Sequence, residues 1–199
     1  ALSFDGEDDY VIINDLSQYV VSSPVTLMGW FKPEDASPEL HAGIFGFRNY
    51  PSGNCYLYSL ILESYPHDIE CSWVNSQRAN ISGPLLDENW YHIALTHNGS
   101  IFISYLNGVL ANSINASGWI NCPQEDFTIG NLISGETNYP FNGNIDEVSL
   151  WSESLTQEEI QSYMSTPPTG TESGLVGYWN FNEGTGTTLT DQTANDNNG

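Results

Sequence analysis

Lysine and arginine are nearly missing from this sequence. Three stand against 25 aspartates and glutamates in 199 residues, a formal net charge of -22. Binding a polyanion rests on Lys and Arg neutralising phosphates, so nucleic acid and anionic membrane surfaces are excluded as partners. Solubility in a salty medium accounts for such acidity without any partner, because screening over a short Debye length makes the self-repulsion tolerable. Hard cations, which take oxygen ligands, are the natural small partners. Long apolar runs are also missing: none approaches the ~18 residues of a membrane span, so no membrane insertion is expected. Cysteine is scarce and odd in number, with Cys55, Cys71 and Cys122 and no CxxC. Redox and zinc-ribbon chemistry drop out, and one disulfide at most can form within the chain. Cys55 and Cys71 flank an expected hairpin and could pair, but the spacing leaves the pairing open. The four histidines show no metal-ligand spacing. Nothing at Ala1 reads as a signal peptide, which fits a mature chain or a domain of a larger protein.

What remains is a succession of short strands and turns, at a length that suits a single all-β domain over 1-199. ALSFDGEDDYVII predicts a strand, an Asp-Gly turn with Asp5, Glu7, Asp8 and Asp9 clustered, and a second strand over Tyr10 to Ile13. Four acids in five positions repel one another unless solvated or offset by a cation. PVTLMGWFKP is a strand bounded by prolines, which cannot donate to a ladder. His41 to Arg48 follows, then a hairpin with a long loop from CYLYSLILE to Ile69–Asn75. WYHIALT, Ile101–Leu106 and Val109–Ser113 are joined by Asn98-Gly99, a type I′ signal, and Asn107-Gly108, predicting three antiparallel strands. SLTQEEIQSYM carries a capping box, Thr156 with Glu159, and a staple of Leu155 with Ile160, so a short helix should end before Pro167. GLVGYWNFN alternates as a strand. The Gly-, Thr- and Asn-rich tail after it has so little apolar content that, alone, it reads as disordered.

FNGNIDEVSLW places two carboxylates in a segment built for burial. Val148, Leu150 and Trp151 are expected to anchor a core, while Asp146 needs a partner because an unpaired buried charge is costly. With so few basic residues, that partner is a metal ion or backbone N–H groups. Asp146 and Glu147 are adjacent, so on a regular strand they point to opposite faces and cannot act as a pair, which leaves Glu147 an exposed acid.

Taken together, LSFDGEDDYV, WYHIALTHNGSIFISYLNGVL, FNGNIDEVSLWSESLTQEEI and GLVGYWNFNEGTGTTLTD resemble the laminin G-like domains of the concanavalin A-like lectin/glucanase superfamily. The resemblance covers nearly the whole chain. It implies a two-sheet antiparallel jelly-roll sandwich with one short helix after the IDEV strand, and chain ends that lie close together. It also implies a structural calcium held by the acidic N-terminal turn and Asp146. Asp5 and Asp146 lead the ligand set, Gly6 would act through its carbonyl, and Asp9, Asn144 and Asp191 complete it; turn chemistry is the competing role for Asp5 and Asp9.

The aromatic content suits sugar binding, because ring C–H groups bury well against exposed Trp and Tyr faces. Trp73, Trp119, Tyr50, Tyr56, Tyr58 and Tyr65 fall where they could face solvent, whereas Trp30, Trp90, Trp151 and Trp179 sit in apolar alternation and read as core. Similar glycoside hydrolases carry their carboxylates as ExDxxE, a spacing this chain lacks. His92 lies in a core strand and reads as a satisfied structural histidine. No catalysis is expected. Two functions remain: a non-catalytic carbohydrate-binding module of a secreted or cell-surface protein, or a calcium-stabilised adhesion or structural domain that binds extracellular protein or spaces other domains of a multidomain chain.

Overall fold

The computed structural model describes residues 1–16, 19, 24–36, 40–49, 55–61, 68–73, 77–83, 85, 87–117, 126–133 and 138–199. The strands are β1 (Leu2–Asp5), β2 (Val11–Ile13), β3 (Val25–Pro33), β4 (Ala42–Asn49), β5 (Cys55–Ile61), β6 (Ile69–Trp73), β7 (Gln77–Arg78), β8 (Tyr91–His97), β9 (Ile101–Leu106), β10 (Val109–Asn115), β11 (Phe127–Ile129), β12 (Asn142–Trp151) and β13 (Leu175–Trp179); helix α1 (Gln157–Ser165) lies between the last two. They form a seven-stranded sheet, β1-β12-β3-β8-β9-β10 with β13 also on β12, and a six-stranded sheet, β2-β11-β4-β5-β6-β7. The pairings are antiparallel, and the two sheets pack face to face as the expected jelly-roll sandwich.

Between the sheets lie Phe31, Phe102, Ile145, Val148 and Leu150 from one side and Phe45, Phe47, Leu57, Trp73 and Phe127 from the other. Trp151 is buried but not there. It turns to the outer face of the seven-stranded sheet and packs with Met28, Ala94, Tyr105, Leu155 and Tyr178 around Ile160 of α1. The expected anchor is therefore split: Val148 and Leu150 hold the sandwich, and Trp151 holds the helix. The capping box forms as read, with the Glu159 N–H donating to Thr156 Oγ1 and the Thr156 N–H to Glu159 Oε2. With α1 seated there, the outer face of the six-stranded sheet is the one left without a helix among the described residues.

Several local readings change. Asn107 and Gly108 both have positive φ, 51° and 71°, so the type I′ turn is here. At Asn98-Gly99 only Gly99 does, and the side chain of Asn98 instead accepts the N–H groups of Ser100 and Ile101, an Asx turn that needs one more loop residue. Cys71 is a buried free thiol. The register explains why Cys55 does not reach it: Cys71 lies opposite Ser59 and Cys55 opposite Asn49, so the two are four positions out of step. Cys122 lies outside the described residues.

The tail is folded. Asp191, buried, accepts the N–H groups of Tyr178, Thr193 and Asn197 and the hydroxyl of Thr193. Asn195 and Asn197 donate to the Val176 carbonyl, and Leu189 exchanges two backbone bonds with Gly199. Ala1 and Gly199 line one groove, as expected of the chain ends.

Candidate functional site

The outer face of the six-stranded sheet carries a dense cluster of charged and aromatic groups among the described residues. In β5, Leu57 and Ile61 point into the sandwich, so Tyr58 between them points out. The register sets a row across the sheet on that side: Thr128, Gly46, Tyr58, Ser72 and Arg78, each opposite the next. Gly46 has to be bare, since a Cβ there would lie 2.3 Å from the Leu57 carbonyl oxygen. Arg48, two residues along β4, and Glu70, two residues along β6, flank the row on the same face.

Glu70 is the hub of the cluster. Its Oε1 accepts the Tyr58 hydroxyl at 2.6 Å and the Ser72 hydroxyl at 2.9 Å, and its Oε2 lies 3.1 Å from Arg78 Nε. Burial, followed by the charge of Glu70, pushes the Tyr58 phenol up to about 12, so it remains a donor at neutral pH. The Arg48 guanidinium lies over two rings, 4.6 Å from the centroid of Tyr139 and 5.6 Å from that of Tyr58. Tyr139 is half-buried; its backbone N–H is fixed by Asn131 Oδ1 at 2.8 Å and its ring lies 5.8 Å from that of His41. Tyr58, Glu70 and Ser72 are buried beneath the patch, while the half-buried Tyr139 and Arg48 and the exposed Arg78 bring an aromatic ring and two guanidinium groups to its surface, groups that sugar recognition uses.

This cluster is not the set of aromatics expected from sequence. Trp73 is wholly buried and stacked on His97, with ring centroids 3.9 Å apart, so it has no face for a sugar. Tyr58 is buried too and acts as a prop beneath Arg48 rather than as a platform. Tyr56 lies opposite Arg48 in the register, and its side chain is outside the described residues, as are Trp119, Tyr50 and Tyr65. Trp90, expected in the core, is exposed, and Trp30 is half-buried against His92. Sequence reasoning passed over Arg48, Glu70, Ser72 and Tyr139. A usable signal existed, because Arg48 and Arg78 are two of only three basic residues and fall in strands of one hairpin layer.

The expected calcium ligands divide into separate places. Carboxylate oxygens of Asp5, Asp8 and Asp9 lie within 4.8 Å of one another on the exposed turn around Gly6. Two of them are also turn formers: Asp5 accepts the Glu7 N–H, and Asp9 accepts the Asp5 N–H. Asp146 is elsewhere. Antiparallel pairing sets Asp5 against Asn142 and Leu2 against Ile145, so Asp146 falls beside Ala1, whose amine is 3.3 Å from its Oδ1. Four residues of strand separate it from Asp5, about 13 Å. Asn144 sits between them opposite Ser3, and Asp191 is consumed by its four hydrogen bonds.

Glu147 is not an ordinary exposed acid. The register slips between Asp146 and Ser149, and Glu147 takes a positive φ of 52°, a bulge that breaks the strand alternation. Its Oε2 accepts the Tyr178 hydroxyl, and burial pushes its carboxyl above the usual range against the pull of that bond. His92 is buried, with Nδ1 lacking a hydrogen-bond partner among the described residues, so it is structural but not satisfied. Burial pushes its imidazole down to about 4, and it is neutral at physiological pH.

No helix among the described residues is long and apolar enough to cross a membrane. A candidate carbohydrate-binding protein from Bacteroides ovatus shares the fold with a TM-score of 0.75 and 19% identity, over 99% of this chain and 57% of that one. Ruminococcus gnavus IT-sialidase CBM40, bound to α2,3-sialyllactose, superposes with a TM-score of 0.58 and 14% identity, over 81% of this chain and 97% of that one. Pappalysin-1 of Mus musculus is 35% identical over 83 residues, 41% of this chain and 5% of that protein. Residues 5–161 match the Laminin_G_3 profile, and the chain belongs to this family of the concanavalin A-like lectin/glucanases superfamily.

Proposed function

We propose that the chain is a non-catalytic, extracellular carbohydrate-binding module that takes its glycan on the outer face of the six-stranded sheet. The observation that carries this reading is the contrast between the two outer faces: α1 covers one, while the other holds Arg48, Tyr139 and the Glu70 network. The family's lectin character and the sialyllactose bound to the Ruminococcus module support it. Catalysis by Glu70 is disfavoured, since both its oxygens are engaged by donors and glycoside cleavage calls for a second carboxylate across the scissile bond. Affinity gels with a panel of soluble polysaccharides provide the test. Retardation by at least one is expected, weakened about tenfold by Tyr139→Ala, the loss that follows from ~1.4 kcal/mol of stacking. Migration unaffected by every polysaccharide would end this reading.

The acidic turn is the second element of the proposal. The oxygen-only donors of Asp5, Asp8 and Asp9 fit calcium, which mixes carboxylates with carbonyls and water. Calcium there would relieve the mutual repulsion of the three carboxylates and brace β1. A rise of a few degrees in melting temperature with millimolar calcium, reversed by EDTA and absent in Asp8→Asn, is the expected result; equal melting with calcium and EDTA would refute it.

A further inference from the structure

We propose that Asn98 is a self-modifying site, converted to aspartyl and isoaspartyl products through a cyclic imide formed with the Gly99 nitrogen, with His97 as the base. The chemistry is one the chain performs on itself, and it is independent of glycan binding. Asn-Gly occurs four times in the sequence, at Asn98, Asn107, Asn142 and Asn198, and glycine puts no Cβ in the way of its own nitrogen at any of them. Three of the four are placed against ring closure. Gly143 lies inside β12, opposite Phe4 of β1 on one side and Pro33 of β3 on the other. Gly199 gives its N–H to the Leu189 carbonyl, which takes no proton. Gly108 is buried, and a Cβ there would lie 2.8 Å from Met164 Sδ, so α1 closes over it.

Asn98 differs in each respect. Together with Gly99 and Ser100 it is exposed in the turn from β8 to β9, and a Cβ on Gly99 would meet nothing within 4 Å among the described residues, so the ring has room and water has access. The Gly99 N–H donates to His97 Nδ1 at 3.2 Å, a base rather than a carbonyl. Asn98 Oδ1 accepts the N–H groups of Ser100 and Ile101 at 3.1 and 3.0 Å. A nucleophile beside its base and a carbonyl oxygen held by two donors is the arrangement that acyl transfer uses. His97 is fixed for this role by its stack on Trp73, and Nε2 donates to the Ala116 carbonyl at 3.3 Å, which leaves the Nδ1 lone pair to Gly99. Burial lowers its imidazole below the ordinary value, against the pull of that carbonyl, so the basic form is present at physiological pH. In the first step the Gly99 nitrogen gives its proton to His97 and bonds to Asn98 Cγ, and negative charge collects on Oδ1 where the two N–H groups meet it. The Cγ–Nδ2 bond then breaks, and Nδ2 leaves as ammonia with the proton that His97 returns. Water opens the imide at Cγ to give aspartate or at the main-chain carbonyl to give isoaspartate, so the net change is water in and ammonia out. Isoaspartate lengthens the main chain by one carbon in a turn whose Ser100 carbonyl accepts the Ala116 N–H, and so loads the bond that ties this turn to the end of β10.

Peptide mapping of the unaltered chain by mass spectrometry, during incubation at neutral pH, tests this with the other three pairs as internal controls. Asn98 is expected to lose its amide roughly tenfold faster than Asn107, Asn142 or Asn198, below the full contribution of a positioned base because the turn must relax to close the ring. Isoaspartate, which direct hydrolysis of the amide does not produce, should be among its products. Hydroxylamine, which cuts chains at imides, should cleave the aged protein between residues 98 and 99 and needs no variant. Loss at Asn98 no faster than at the other three, or aspartate without isoaspartate, would overturn the proposal. His97→Phe keeps a ring against Trp73 and removes the base, and should bring Asn98 down to the rate of the other pairs. A folded His97→Phe protein in which Asn98 reacts as fast as before would take His97 out of the reaction.

Discussion

Replacing Asp191 with alanine is expected to lower the melting temperature by about 10 °C, a large effect for a single polar side chain. The carboxylate sits 4% exposed and accepts four hydrogen bonds, three from the backbone N–H groups of Tyr178, Thr193 and Asn197 and one from the Thr193 hydroxyl. Removing it strands donors that cannot all find water, at about 1–3 kcal/mol for each one that stays buried. Allowing for water entering near Thr193, a total of about 3–4 kcal/mol follows, and a chain of this size loses roughly 2–4 °C per kcal/mol. Since Tyr178 belongs to β13 and Asn197 to the tail, the change should also expose residues beyond Phe181 to limited proteolysis before the rest of the sandwich. A fall of less than about 3 °C would mean that the tail is held by something other than this carboxylate.

The same residue shows why part of the chain was illegible in sequence. Composition arguments ask whether a segment can bury enough apolar surface to offset its ordering entropy, and the tail fails that question. Its order comes from polar groups instead: Asp191 gathers donors, two asparagine amides share the Val176 carbonyl, and Trp179 Nε1 donates to the Asn197 carbonyl. Nothing in a periodicity of apolar residues records such a network. The strands, by contrast, were legible because each has a buried face. The predicted strands over PVTLMGWFKP, WYHIALT, Ile101–Leu106 and FNGNIDEVSLW all appear, and the capping box placed α1 to within a residue.

The candidate site was less legible for a geometric reason. Alternation says which residues share a face of a strand but not which face meets the other sheet. Trp73 and Tyr58 belong to neighbouring strands, and Trp73 proved to face the core while Tyr58 faces away from it. A single bulge defeats alternation altogether, as at Glu147, where a positive φ brings the carboxylate to the Tyr178 hydroxyl. Asp5 and Asp146 failed as a pair for a different reason: both belong to paired strands, but register, which sequence does not state, set them at opposite ends of β1.

Trp73→Ala separates the two readings of the aromatic residues most directly. If Trp73 were a sugar platform, its loss would abolish binding and leave stability alone. Its position dictates the reverse. The indole is wholly buried, stacked on His97 and 5.8 Å from the ring of Phe102, and alanine would open a cavity costing about 3–5 kcal/mol, a fall of some 10 °C in melting temperature. Loss of the stack also loosens His97, which accepts the Gly99 N–H at Nδ1 and is therefore left to donate from Nε2 to the Ala116 carbonyl. Well below its melting point the variant should keep its glycan affinity to within about threefold, because Ser72 and Glu70 face away from the cavity and hold their own partners. Trp73→Phe should recover most of the stability: it refills the space and removes an indole Nε1 that has no hydrogen-bond partner among the described residues. Unchanged melting together with lost binding in Trp73→Ala would return Trp73 to the sugar site and move that site away from the Arg48 face.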